Sequence, residues 1–149
     1  MTEQETRKWV ADAYRRFTAG NADALLEKCA DDVEWITPDL EGIPFSGTFH
    51  GKQAVGNYFT QLEGALQTTR FEVREIIAQQ DRAAVIGLLV GDVSTTGKTL
   101  EMEWAHNLSF GQDGKLTRYQ QFFDTAAMKA AFMPIEVEKS ILKASQSLH

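Results

Sequence analysis

Between Leu100 and Phe110 the chain alternates almost without interruption. Leu100, Met102, Trp104, His106, Leu108 and Phe110 share one parity, and Glu101, Glu103, Ala105, Asn107 and Ser109 the other. A period of two is the signature of a strand with one face in a core and the other toward solvent. A one-residue slip would turn the whole apolar set outward, so this segment pins its own register. A sheet with one greasy face needs a second layer to cover it, and the rest of the chain has to supply that layer. The flanks are strand-like too. Thr95-Thr96-Gly97-Lys98 and Gly111-Gln112-Asp113-Gly114 are turns, Leu116 to Phe123 is a last strand, and Ala83 to Val93 is a long earlier one. Phe71, Val73 and Ile76 begin another strand ahead of the Gln80-Asp81-Arg82 turn.

The covering layer comes from the first half of the chain. Trp9, Val10, Ala13, Tyr14 and Phe17 recur at helical spacing within residues 3–19, and Ala19-Gly20-Asn21 closes that helix. A shorter helix over 22–29 takes Asn21 as its N-cap, with Leu25, Leu26 and Cys29 on its apolar side. Asp31-Asp32 open a strand carrying Val33, Trp35 and Thr37, which Pro38 stops. Residues 38–51, with Pro38, Pro44, Gly42, Gly47 and Gly51, read as a loop anchored by Phe45 and Phe49. Val55, Phe59, Leu62 and Leu66 then form the stripe of a helix over 52–66, with Tyr58 beside it. Asp124-Thr125 cap a short helix from Ala126 to Phe132, and Pro134 ends it. Val137, Ile141, Ala144 and Leu148 predict one more helix, docked by this stripe or else serving as a lid. The chain therefore divides into a domain over 1–133 and a helical C-terminal extension over 134–149. The expected fold is α+β: three helices packed on one curved antiparallel sheet, leaving a hollow between the layers.

Composition narrows the function. Lys and Arg number 15 against 21 Asp and Glu, a formal net charge of -6, and no basic run occurs in the 149 residues. Nucleic acid and anionic membrane surfaces both require a cationic footprint, so neither is expected as a partner. Cys29 is the single cysteine, which rules out an intrachain disulfide. His50, His106 and His149 are far apart, so no metal is expected either. The start MTEQETRKWV lacks the apolar core of a signal peptide, and no run approaches a membrane span, which predicts a soluble cytoplasmic domain.

Four segments carry a family resemblance: Tyr14-Arg-Arg-Phe-Thr-Ala-Gly-Asn, Cys29-Ala-Asp-Asp-Val-Glu-Trp, Ser46-Gly-Thr-Phe-His-Gly-Lys-Gln-Ala-Val-Gly-Asn-Tyr-Phe and Tyr119-Gln-Gln-Phe-Phe-Asp. In this order and spacing they resemble the SnoaL-like and ketosteroid isomerase-like superfamily, whose cone-shaped fold is shared with nuclear transport factor 2. The resemblance covers residues 5–132. It implies a curved sheet wrapped around three N-terminal helices and a pocket for a small hydrophobic molecule of polyketide, steroid, terpenoid or aromatic type. It also implies cofactor-free isomerase, cyclase, dehydratase or epoxide-opening chemistry, with non-catalytic ligand binding or a dimeric interaction domain as the alternative. Members commonly pair through the outer sheet face, so a homodimer is implied, with Glu101, Glu103, Asn107 and Ser109 in its interface.

The isomerase branch works with an Asp base and with a Tyr and a protonated Asp as donors to an enolate. By spacing, its Tyr position falls on Ala13, one residue from Tyr14, its base on Thr37 and its Asp donor on His106. The acid/base Asp of the cyclase branch falls on Gln121, and an amide cannot shuttle a proton. His106 is therefore the expected proton-transfer group, or else a core histidine satisfied by its neighbours, with Tyr119 and Gln121 beside it as the other catalytic candidates. The implied ligand-binding set is Tyr14, Phe17, Trp35, Thr37, Tyr58, Trp104 and Phe123. Asp39 at the rim is a substitute base or an ordinary loop residue, and Asp124 is an acid or a helix cap.

Overall fold

A computed structural model describes residues 1–147 of the chain, so Leu148 and His149 lie outside the described residues. Helices α1 (Glu3–Thr18) and α2 (Ala22–Glu27) lead into β1 (Cys29–Ile36); β2 (Thr48–His50) precedes α3 (Gly51–Ala65). A meander of β3 (Leu66–Ala78), β4 (Arg82–Val93), β5 (Thr99–Phe110) and β6 (Leu116–Phe123) follows, then α4 (Thr125–Phe132) and α5 (Ile135–Ser147). The sheet has 6 strands in the order β2-β1-β6-β5-β4-β3. It is mixed rather than purely antiparallel, because β1 and β6 run parallel, with Trp35 opposite Tyr119. Strand β2 pairs with β1 inside the stretch expected to be a loop. Cys29 begins β1 instead of ending α2, and Leu66 begins β3 instead of ending α3.

The alternation of β5 folds as its sequence demands. Leu100, Met102, Trp104, His106, Leu108 and Phe110 are all buried, while Glu101 and Glu103 are exposed on the opposite face. Valines, leucines and aromatics of the same parity on β1, β4 and β6 complete an inner face, which α1 and α3 cover with Val10, Ala13, Val55, Tyr58 and Phe59. Register shifts in β3, after Thr68 and again after Val73, bend that edge strand, as bulges do. Its outer side carries Arg70, Glu72, Arg74 and Glu75, a charged edge that resists pairing with another sheet.

Helix α1 is held in place by polar contacts at both ends. Thr2 and Glu5 form a capping box at its start. The buried Thr6 hydroxyl donates to the Gln80 carbonyl in the β3–β4 turn, and the Arg7 guanidinium donates to the Ile76 carbonyl at 3.0 Å. Further along, Asp12 accepts from Lys28 at 2.8 Å and from Arg15, contacts that hold its carboxyl below the ordinary carboxylate range. These ties set how far down the sheet Tyr14 reaches.

Helix α5 forms where the tail predicts a helix, but two residues of its apolar stripe face solvent: Val137 is 48% and Ile141 52% exposed, while Leu148 lies outside the described residues. It is tethered at its first turn, where Lys98 Nζ reaches Glu138 at 2.5 Å and the Ala130 carbonyl at 3.2 Å.

Gly87, opposite Trp104 in the β4–β5 ladder, is a position where a side chain has no room. A Cβ there would lie 2.0 Å from the Glu72 carbonyl oxygen and 2.2 Å from the Trp104 ring. The glycine lets the indole lie flat across the β4 backbone. Gly87→Ala is expected to lower the unfolding free energy by about 2 kcal/mol or more through overpacking. Urea denaturation checks this; an unchanged midpoint would mean that Trp104 has somewhere else to go.

Candidate functional site

The cross-strand register assembles the site. His106 on β5 sits opposite Gln121 on β6, flanked by the Trp104–Phe123 and Leu108–Tyr119 pairs, so Tyr119, Gln121 and Phe123 share the inward parity. Trp104 stacks on the imidazole at 4.2 Å between ring centres, and Trp35 stacks on Tyr119 at 3.6 Å. Tyr14 reaches the imidazole from α1, and its hydroxyl lies 2.5 Å from Nδ1. On the other side the Tyr119 hydroxyl lies 2.8 Å from Nε2, and the Gln121 amide nitrogen 3.4 Å from it. Tyr58 from α3 donates to Gln121 Oε1 at 3.3 Å. The result is one polar chain, Tyr14–His106–Tyr119 with Gln121 and Tyr58, in an otherwise apolar interior.

Burial makes every member of that chain neutral. Desolvation lowers the His106 pKa to about 3 and pushes Tyr14 and Tyr119 well above the usual phenol value. Burial raises Tyr58 as well. A neutral imidazole has one N–H and one lone pair, so one tyrosine must donate to it and the other must accept. The Gln121 amide, with Oε1 accepting from Tyr58, turns its NH2 toward Nε2. That orientation assigns Nε2 as the acceptor, Tyr119 as the donor to it, and Nδ1–H as the donor to the Tyr14 oxygen. The Tyr14 hydroxyl proton is then left over for a ligand.

Two hollow spaces lie side by side, sharing wall residues. An inner hollow of about 80 Å³ is lined by Trp35, Tyr58, His106, Tyr119, Gln121 and Phe123 among others, with Tyr14 and Phe17 at its α1 side. An outer chamber of about 390 Å³ lies between the C-terminal ends of α1 and α3 and the start of β3, bordered by Thr18, Glu63, Gln67 and Arg70. Phe17, Phe59, Leu62, Leu66, Thr68 and Phe71 wall both spaces. No carboxylate lines the inner hollow among the described residues. Trp35, 2% exposed, also lines this hollow, and its indole N–H is directed at the Tyr58 hydroxyl, which draws that phenol's pKa down against the effect of burial.

Several expected site residues lie elsewhere. The Thr37 hydroxyl donates to the carbonyls of Phe45 and Gly47, at 3.3 and 3.0 Å, and so closes the loop after β1 instead of facing a ligand. Trp104 backs His106 without lining the hollow. Asp39 is exposed on that loop, and Asp124 caps α4 by accepting from the Ala127 amide at 3.0 Å; neither lines the hollow. Residues outside the expected site set also line it, including Leu25, Phe45 and Leu62, whose only sequence signal is the apolar stripe or loop anchor each belongs to, and Met128. Among the described residues no group of His, Cys, Asp and Glu could hold a metal, and no helix is long and apolar enough to cross a membrane.

This geometry belongs to a known class. The chain is a member of the SnoaL-like domain family, whose profile matches residues 10–119. Among solved structures it is similar to a nuclear transport factor 2-like protein from Burkholderia xenovorans, 28% identical over 89% of this chain and 99% of the other, with a TM-score of 0.79. A nuclear transport factor 2-like protein from Burkholderia thailandensis is 25% identical over 84% and 95%, with a TM-score of 0.76. TerC, co-crystallised with polyporic acid, is 26% identical over 86% and 98%, with a TM-score of 0.73. No curated protein matches the chain.

The buried imidazole makes stability depend on pH. Its folded pKa of about 3 lies below the ordinary imidazole value of 6.5, so between those values the unfolded chain binds more protons than the folded one. Stability is then full above the unfolded value and falls as pH drops toward the folded one, by at most about 1.4 kcal/mol per pH unit from this group. Comparing urea unfolding of wild type and His106→Gln from about pH 7 to about pH 5 is expected to show a shallower slope in the variant. Parallel slopes would mean that the imidazole takes up a proton within the fold.

Proposed function

We propose that this chain binds a small, uncharged hydrophobic molecule of polyketide, steroid, terpenoid or aromatic type and carries out a cofactor-free isomerase, cyclase, dehydratase or epoxide-opening step on it. The observation that carries this reading is the neutral Tyr14–His106–Tyr119 chain set in an apolar hollow. Neutral donors in a dry site favour a ligand oxygen that is neutral when bound and gains charge during reaction, because prearranged donors stabilise developing charge most where water is excluded. Tyr14 is the catalytic residue in this scheme, donating its free proton to the ligand oxygen. His106 is a positioning residue: with both nitrogens engaged it acts through the tyrosines, and its N–H strengthens Tyr14 as a donor. TerC, co-crystallised with polyporic acid, supports a small organic ligand for a cone of this shape.

One observation favours a second reading, non-catalytic binding: no carboxylate lines the inner hollow among the described residues, so nothing there resembles a strong general base. Trp35 quenching by a panel of steroid enones, aryl ketones and terpenoid ketones, with each compound followed by mass spectrometry, separates the two. Turnover of a bound compound that falls about a hundredfold in Tyr14→Phe and in His106→Gln, with binding less affected, supports the enzyme. Binding with every compound recovered unchanged establishes the second reading, and a panel that leaves the fluorescence unmoved overturns both.

We also propose a homodimer through the outer sheet face. Phe122 and Ile77 are each 50% exposed there, and the rim pairs Arg74 with Glu72 and Glu103, both signs of charge that a twofold axis can match. Phe122→Glu is expected to turn a dimer into a monomer by light scattering; a monomeric wild type removes the proposal.

A further inference from the structure

The inner hollow, at about 80 Å³, is smaller than the roughly 150 Å³ cavity that admits benzene, so no aromatic ring fits within it as it stands. The neighbouring chamber, at about 390 Å³, does have room for a fused-ring system. Between the two spaces lies their common wall, and its members are not equally fixed. Phe59 and Leu66 are buried in the core. Phe17 and Phe71 are only half-buried, and they meet edge to face at 5.3 Å between ring centres. Phe17 comes from the last turn of α1. Phe71 comes from β3, which pairs with β4 alone, and it stands between the register shifts that interrupt that ladder. A bulged edge strand has fewer regular backbone bonds to resist displacement. Both rings adjoin Tyr14, which lies one helical turn before Phe17 and stacks on Phe71 at 6.5 Å.

We propose that the ligand's ring system is seated in the outer chamber and that Phe17 and Phe71 form a movable partition: when their rings part, an oxygen on the seated ligand reaches the Tyr14 hydroxyl. This rests on the ligand-binding reading of the site. Rotating two half-buried rings needs no change of fold, and it gives up less buried apolar surface than opening the wall at Phe59 or Leu66. The ligand so held is a ketone, quinone or lactone on an apolar body, with its far end at the solvent-exposed Thr18, Glu63 and Arg70 rim. A gap between two parted rings is a slot. It admits a flat body before a thick one of equal volume, so the pair determines specificity for planar, conjugated frameworks.

The test uses 2-acetylnaphthalene and 2-ethylnaphthalene, near-isosteres with and without the carbonyl oxygen. Calorimetry on the wild type is expected to favour the ketone, and in Tyr14→Phe that preference is expected to fall about tenfold, the worth of one hydrogen bond. Nuclear Overhauser contacts in the unaltered protein locate the rings. Naphthyl protons are expected to meet the Thr18 and Ala22 methyls, which border the chamber alone, and not the Met128 methyl, which lines the hollow alone. Stopped-flow tryptophan quenching is expected to give an association rate that levels off as ketone is raised, because parting of the rings limits entry. Phe17→Leu and Phe71→Leu are each expected to raise that plateau about tenfold. Ring contacts to Met128, a ketone preference that survives Tyr14→Phe, or a plateau unmoved in both leucine variants overturns the partition while leaving ligand binding intact. Failure of both compounds to bind the wild type overturns the binding reading and the partition together.

Discussion

The structure depends on how an imidazole is buried between two phenols. Removing His106 from water would be costly if it kept a charge, and its position on the apolar parity of β5 leaves it no route back to solvent. The fold resolves this by keeping the ring neutral and satisfying both nitrogens from different elements, Tyr14 from α1 and Tyr119 from β6. A donor–acceptor pair of that kind works only if α1 sits at one height over the sheet. The Thr6 and Arg7 contacts to the β3–β4 turn region and the Asp12 contact to Lys28 serve that end, although none of them touches the cavity.

Aromatic stacking supplies the other half of the support. Trp104 lies under the imidazole and under Phe71, and can do so because Gly87 across the ladder offers no side chain. Trp35 plays the same part beneath Tyr119. Large flat rings on neighbouring strands hold the tyrosine and histidine rings within a narrow range of orientations. The polar chain therefore keeps its geometry in a hollow open to ligands, where a flexible array would collapse onto itself.

Much of this was legible along the chain. The β5 alternation alone placed His106 inward with Leu108 and Trp104, and the parity of β6 brought Tyr119 and Gln121 to the same side. What was less legible depended on distant partners. Strand β2 is only Thr48 to His50 and lies among glycines and prolines, where pairing with β1 is the sole reason for strand geometry. The parallel β1–β6 pairing joins segments some eighty residues apart, and local patterning carries no sign of strand direction. Tyr14 sits one residue from the aligned donor position, about a quarter turn around the helix, and a long side chain reaches the imidazole from there. Thr37 shares the inward parity of β1 but lies one residue past the strand's end, where the Phe45 and Gly47 carbonyls need its hydroxyl more than a ligand does.

The missing carboxylates follow from the same economy. Asp31, Asp32 and Asp39 are exposed, and Asp124 is spent on a helix cap, so acidic side chains near the cone are all held where water or an amide satisfies them. An ionised carboxylate in the hollow would require a partner of opposite charge or several backbone donors, and among the described residues no charged side chain lines that space. A carboxylic acid kept neutral can donate one hydrogen bond; a phenol backed by an imidazole N–H does the same and adds a stacking surface. On the proposed reading, the hollow receives charge on a ligand oxygen and brings none of its own. A substrate suited to it must have a proton that is already acidic, or an oxygen whose polarisation alone lowers the barrier. That condition favours conjugated, multiply oxygenated ring systems over simple alcohols or acids.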